Sequence, residues 1–77
     1  ESGLGAEADI SKAVKYYKKA AEKGNAFAMA HYGCALANGE GVRKNKKSAM
    51  EWLIKAAMKG DEGAILILKE DYDYTLK

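Results

Sequence analysis

The sequence predicts an all-α fold: an α-α superhelix, or solenoid, of antiparallel helix pairs with four helices in 77 residues. Three observations predict it. First, sliding the chain by 36 residues superposes Gly3, Gly5, Ala13, Lys19, Ala20, Ala21, Lys23, Gly24 and Ala28 on identical residues. A repeat of that length holds one helix pair, a unit that buries its apolar face only by stacking on its neighbours. Second, the apolar residues between the glycines keep the i, i+3, i+4, i+7 spacing of a helix face. Third, the chain has no Pro and is rich in Ala, so nothing interrupts those helices internally.

In chain order, residues 1–8 read as a loop, because Gly3-Leu4-Gly5 aligns with Gly39-Glu40-Gly41 one repeat later. Asp9 aligns with Asn45, and both stand where a side-chain oxygen would accept from free N–H groups at a helix start. The first helix is expected over about residues 10–23, with Ile10, Ala13, Val14, Tyr17, Ala20 and Ala21 inward and the Lys residues outward. Gly24 suits the left-handed position that ends a helix, and Asn25 caps the next one at once. So short a link forces the two helices antiparallel.

The second helix is expected over residues 26–38. It carries no formal charge apart from a protonated His31, and an apolar circumference calls for cover on more than one side. Ala28, Gly33 and Ala35 are small enough there to admit a neighbouring backbone. The loop from Gly39 to Lys44 leads to the cap Asn45 and a third helix over residues 46–59, with Ala49, Met50, Leu53, Ala56 and Ala57 inward. Gly60-Asp61 repeats the Gly24-Asn25 corner. The run Ala64-Ile65-Leu66-Ile67-Leu68 fits a strand as well as a helix, but the repeat register favours a helix to about Tyr72.

Thirteen basic against eleven acidic residues leave a net charge of +2, too small by itself to imply nucleic acid. The charge is nevertheless segregated: residues 12–23 hold five Lys against one Glu, and residues 61–73 hold five acids against one Lys. One Cys excludes an internal disulfide, and one Cys with one His supplies no structural metal set. No apolar run reaches the length of a membrane span, and no signal-peptide pattern is present. No cofactor is expected either: the Gly-x-Gly pairs lack a third glycine and a preceding strand, so they read as turn glycines. His31 and Cys34 lie one helical turn apart and are the sole candidates for a hydrolase; without a pocket and an oxyanion hole they read as packing residues. Tyr16, Tyr17 and Trp52 read as inter-helix filling.

The ordered frame Gly39-x-Gly41-Val42, Asn45, Ala49, Trp52, Lys55-Ala56-Ala57, Gly60 and Ala64 resembles the Sel-one-like repeat, a relative of the tetratricopeptide repeat. The same frame recurs as Gly3-x-Gly5-Ala6, Asp9, Lys12-Ala13, Tyr16, Lys19-Ala20-Ala21, Gly24 and Ala28. Copies then run over residues 3–38 and 39–74 of a single helical-repeat domain, residues 1–77, cut from a longer array. The sequence departs from the family where Leu-Gly is usual in the first helix of a pair: Tyr32-Gly33 stands there, and then Leu68-Lys69. Lys69 in place of Gly would hinder a further helix, so the array is expected to stop at that end. Cysteine-rich members staple each repeat, but Ala21 and Ala28 stand at the comparable positions, so those disulfides do not carry over.

The resemblance implies a non-enzymatic adaptor that binds another protein or peptide on its concave surface. In the family the first helix of each pair lines the groove. By position, the implied contact residues are Phe27, Ala30, Cys34 and Asn38, with Leu66, Glu70 and Asp73 in the next row. The alternative is a nucleic-acid-binding domain using Lys12, Lys15, Lys18, Lys19, Arg43, Lys44, Lys46 and Lys47, which would show a steep salt dependence. Repeat ends expose surface that a neighbouring repeat would cover. The Val14, Tyr17, Ala21 stripe and Ile65–Leu68 are therefore expected to be hidden by self-association, by end-to-end stacking or by a bound partner.

Overall fold

The structure is a computed structural model that describes residues 2–73, with side chains from Asp9 onward. It contains α1 (Ser2–Glu22), α2 (Ala26–Asn38), α3 (Lys46–Met58) and α4 (Glu62–Asp71), and no strand among the described residues. Each helix packs on its neighbour in sequence, α1 on α2, α2 on α3 and α3 on α4, so α2 and α4 lie parallel on the same antiparallel partner. The apolar run in α4 is helical, as the register predicted.

The two tight corners are built alike. Gly24 (φ 97°) and Gly60 (φ 96°) occupy the positive-φ region that a Cβ disfavours. Around Gly24, its N–H donates to the Ala21 carbonyl (2.9 Å) and the Asn25 N–H to the Ala20 carbonyl (3.1 Å). Around Gly60 the same pair runs to Ala57 (2.9 Å) and Ala56 (3.0 Å). These crossed bonds satisfy the last carbonyls of α1 and α3. The next helix is capped immediately: Asn25 Oδ1 accepts from Ala28 N–H at 2.9 Å, and Asp61 Oδ2 from Ala64 N–H at 2.9 Å. At the longer link, Asn45 Oδ1 accepts from Ser48 N–H at 3.0 Å.

The start of the chain differs from expectation. Residues 2–9 are helical, so Gly3-Leu4-Gly5 is not a turn and Asp9 is not a cap; α1 begins eight residues before Ile10. The second copy of the motif shows why. A Cβ added to Gly41 (φ 69°) would stand 2.9 Å from Ile10 Cγ2, 3.0 Å from the Ile10 carbonyl and 3.0 Å from Val14 Cγ2. The Gly39–Lys44 loop thus keeps its shape by lying flat against α1. The first Gly-x-Gly instead continues into α1, where Leu4, Ala6, Glu7 and Ala8 are adequate helix formers.

The stripe on α1 is also narrower than expected. Val14 and Ala21 are buried and Tyr17 is half-buried, all against α2, so this stripe is covered and does not form the open end. Ile10 and Ala13, expected inward, are exposed. What α1 leaves open is the face bearing Ala13 and Tyr16 (70% exposed). Their counterparts on α3, Ala49 (0% exposed) and half-buried Trp52, are covered because α2 lies on them. Trp52 meets Tyr32 of α2 edge-on (5.6 Å between ring centres), and the Lys55 ammonium sits 4.7 Å over its ring.

The core runs along α2 and α3. Ala28, Met29, Ala30, Tyr32, Gly33, Ala35 and Leu36 of α2 are all buried, which explains a helix without formal charge. Leu53, Ala56 and Ala57 of α3 close against Ala64 and Leu68 of α4, with Met50 half-buried at the margin. At the far end of the core Ile65 (38%) and Leu66 (53%) are exposed and Leu68 is buried, since consecutive helical residues diverge by about 100°.

A candidate protein-docking groove between α2 and α4

Parallel α2 and α4 leave a furrow between them because α3, on which both rest, holds them apart. Its first half is lined by Phe27, Ala30, His31 and Cys34 of α2, by the corner residue Asp61, and by Gly63 and Ile67 of α4. Its second half is lined by Ala37 and Asn38, by Lys46, and by Glu70, Asp71 and Tyr72. The two halves are continuous: Ala37 and Asn38 follow Cys34 by three and four residues, and Glu70 and Asp71 follow Ile67 likewise.

Of the residues implied by position, Phe27, Ala30 and Cys34 line the first half, and Asn38 and Glu70 the second. Leu66 and Asp73 line neither half and are exposed. Leu66 is the counterpart of Ala30, but Ala30 is buried in the cluster that includes Ala64 and Leu68 of α4, while among the described residues no helix covers Leu66. Position by analogy therefore missed Gly63, Ile67 and Asp71. A periodicity could have found them: Gly63, Ile67, Glu70 and Asp71 form an i, i+4, i+7, i+8 stripe facing Phe27, Cys34 and Asn38.

Phe27 is 61% exposed and packs on one side against another ring. Its ring meets His31 at 4.2 Å between centres and 61° between planes, and His31 stacks on Tyr17 of α1 at 4.7 Å and 11°. Tyr17 in turn meets Tyr16 at 6.0 Å. A line of rings thus braces an aromatic side chain at the groove mouth, so little rotamer freedom remains to be lost when something packs on it.

The electrostatics of the floor are set by carboxylates from three elements. Burial pushes the Cys34 thiol above its ordinary value, and Asp71, Glu40 and Asp61 raise it further in that order. Burial followed by Asp71 and Cys34 does the same to the Tyr72 phenol. The direction is opposite to that of a cysteine nucleophile, which is activated by a lowered value. Alkylation of Cys34 by iodoacetamide is therefore expected to reach half its limiting rate above about pH 8.5, the usual cysteine value. Asp71→Asn should move that midpoint down. A midpoint below the usual value would instead mark a thiol activated for chemistry.

A family model described as Sel1 repeat matches residues 1–25 and again 26–61. The chain belongs to the Sel1 repeat family. Sel1 repeats are in general protein–protein interaction modules, a non-catalytic class, and their proteins bind other proteins. No curated protein and no solved structure matches the chain. Among the described residues of this Sel1 domain, no helix is long and apolar enough to cross a membrane, and no three His, Cys, Asp or Glu side chains cluster as a metal site.

Proposed function

We propose that this Sel1 domain is a non-enzymatic docking module that holds a segment of another protein in the furrow between α2 and α4. The observation that carries the reading is Phe27: a large apolar ring, 61% exposed, fixed by His31 at the mouth of a furrow floored by Ala30, Cys34 and Ile67. Burying such a ring against a partner is worth about 1.5–3 kcal/mol, the size of a dominant interface residue. The furrow lies on rigid elements, since α2 and α4 both rest on α3, so docking costs little reorganisation. The shape is open and shallow, suited to a chain segment lying lengthwise.

The test is selection of binders from a displayed random-peptide library on the intact chain, followed by affinity measurement on variants. Phe27→Ser is expected to weaken the selected peptides about 10-fold or more. Met58→Ser removes an equally exposed apolar side chain (73%) on α3, outside the furrow, and should leave affinity unchanged. Peptides indifferent to Phe27 would place docking elsewhere on the domain.

A further inference from the structure

We propose that the occupant of the α2–α4 furrow is a basic segment of another protein, with two cationic side chains about 15 Å apart flanking a central apolar residue. The inference rests on the docking reading above and adds the chemistry of the partner.

The argument is the placement of charge along the furrow. Asp61 closes its first end, and Glu70 and Asp71 close its second, where Lys46 offsets one of the two. Counted over the lining residues, each end therefore carries one net negative charge, with Phe27, Ala30, Cys34 and Ile67 between them. Asp61 lies ten residues before Asp71 along the α4 axis, about 15 Å at the helical rise. Asp61 spends Oδ2 on its cap to Ala64, which leaves Oδ1 for a partner. The carboxylates also act on the middle of the floor, where Asp71, Glu40 and Asp61 add to burial in pushing the Cys34 thiol up. An acidic segment would be repelled at both ends, and a neutral one would leave the end carboxylates without a partner. An extended chain covers the span in four or five residues at about 3.3 Å each, which sets the spacing of the two cations.

Three labelled peptides read this directly by fluorescence anisotropy: Ser-Arg-Ser-Leu-Ser-Arg-Ser, the same with Glu for both Arg, and the same with Ser for Leu. The Arg peptide with Leu is expected to bind about 10-fold or more tighter than either, with the margin over Glu shrinking as salt rises to about 0.3 M. Asp61→Asn and Asp71→Asn should each weaken it about threefold. The ends lie beyond a screening length of about 8 Å at physiological salt, so the double variant should multiply the two effects. Asn keeps the cap acceptor at position 61, as Asn25 and Asn45 do in the other corners, so unchanged circular dichroism confirms an intact fold.

Binding that needs Phe27 but ignores the sign of the peptide overturns the charge inference and leaves the docking reading standing. Charge-dependent binding indifferent to Phe27 overturns the docking reading, and this inference with it. Absence of binding by the Arg peptide overturns the inference. So does sedimentation showing salt-sensitive self-association abolished by Asp61→Asn/Asp71→Asn, which would make the occupant the Lys-rich face of α1 in a second copy.

Discussion

Leu53→Ala is expected to lower folding stability by about 3–4 kcal/mol, within the range for buried Leu truncation. Leu53 is 0% exposed at the centre of α3, and among the described residues only Leu68 matches it as a large side chain so fully enclosed. The residues around it include Ala21, Ala28, Ala30, Ala56, Ala57 and Ala64. Alanines have no rotamers with which to fill a void, so the cavity left by three missing carbons stays open and its full cost is felt. A domain of this size has roughly 4–12 kcal/mol in total, at about 0.05–0.15 kcal/mol per residue. The melting temperature should fall by roughly 12–32 °C, at about 4–8 °C per kcal/mol for so short a chain. A fall of only a few degrees would mean that α2, α3 and α4 do not share one core.

Gly33→Val is the second large effect, expected to cost about 3 kcal/mol by overpacking. A Cβ on Gly33 would stand 2.9 Å from Leu53 Cγ, 3.1 Å from the Ala49 carbonyl oxygen and 3.2 Å from Leu53 Cδ2. Leu53 could rotate only within a filled core, and the Ala49 oxygen belongs to the backbone of α3. Even Gly33→Ala should therefore destabilise, although Ala in a helix interior is worth about 1 kcal/mol over Gly. The sign of that variant separates two explanations of the glycine. If Gly33→Ala raises the melting temperature, helix propensity outweighs crowding and α2 and α3 have room to part. If crowding governs, the double variant Gly33→Ala/Leu53→Ala should cost less than the sum of its parts, because truncating Leu53 clears two of the three contacts.

The residues that carry local information gave their structures away in the sequence. Gly24-Asn25 and Gly60-Asp61 each combine a left-handed helix end with an adjacent cap, and neither needs a distant partner to form. Asn45 is the same kind of signal, as is the uncharged stretch that became α2 over its expected bounds. Phe27, Ala30 and Cys34 were implied by their positions in the family's repeat rather than by local signals, and they line the first half of the furrow.

Tertiary structure decided the rest. Gly3-Leu4-Gly5 and Gly39-Glu40-Gly41 carry the same glycine spacing, yet the first is helix, while the second is a loop that rests on Ile10 and Val14 of α1. Ala13 and Ala49 are identical residues at equivalent positions, and one is exposed while the other is fully buried, according to whether a helix lies on it. The groove follows the same logic on α4. Its sequence offers apolar side chains at 65, 66, 67 and 68 in succession, and the position of α3 and α2 selects Leu68 for the core and Ile67 for the furrow. Backbone hydrogen bonds and caps are satisfied within a few residues of chain, so sequence alone determines them. Burial is a property of what comes to lie opposite, and in a repeat protein that is the neighbouring helix.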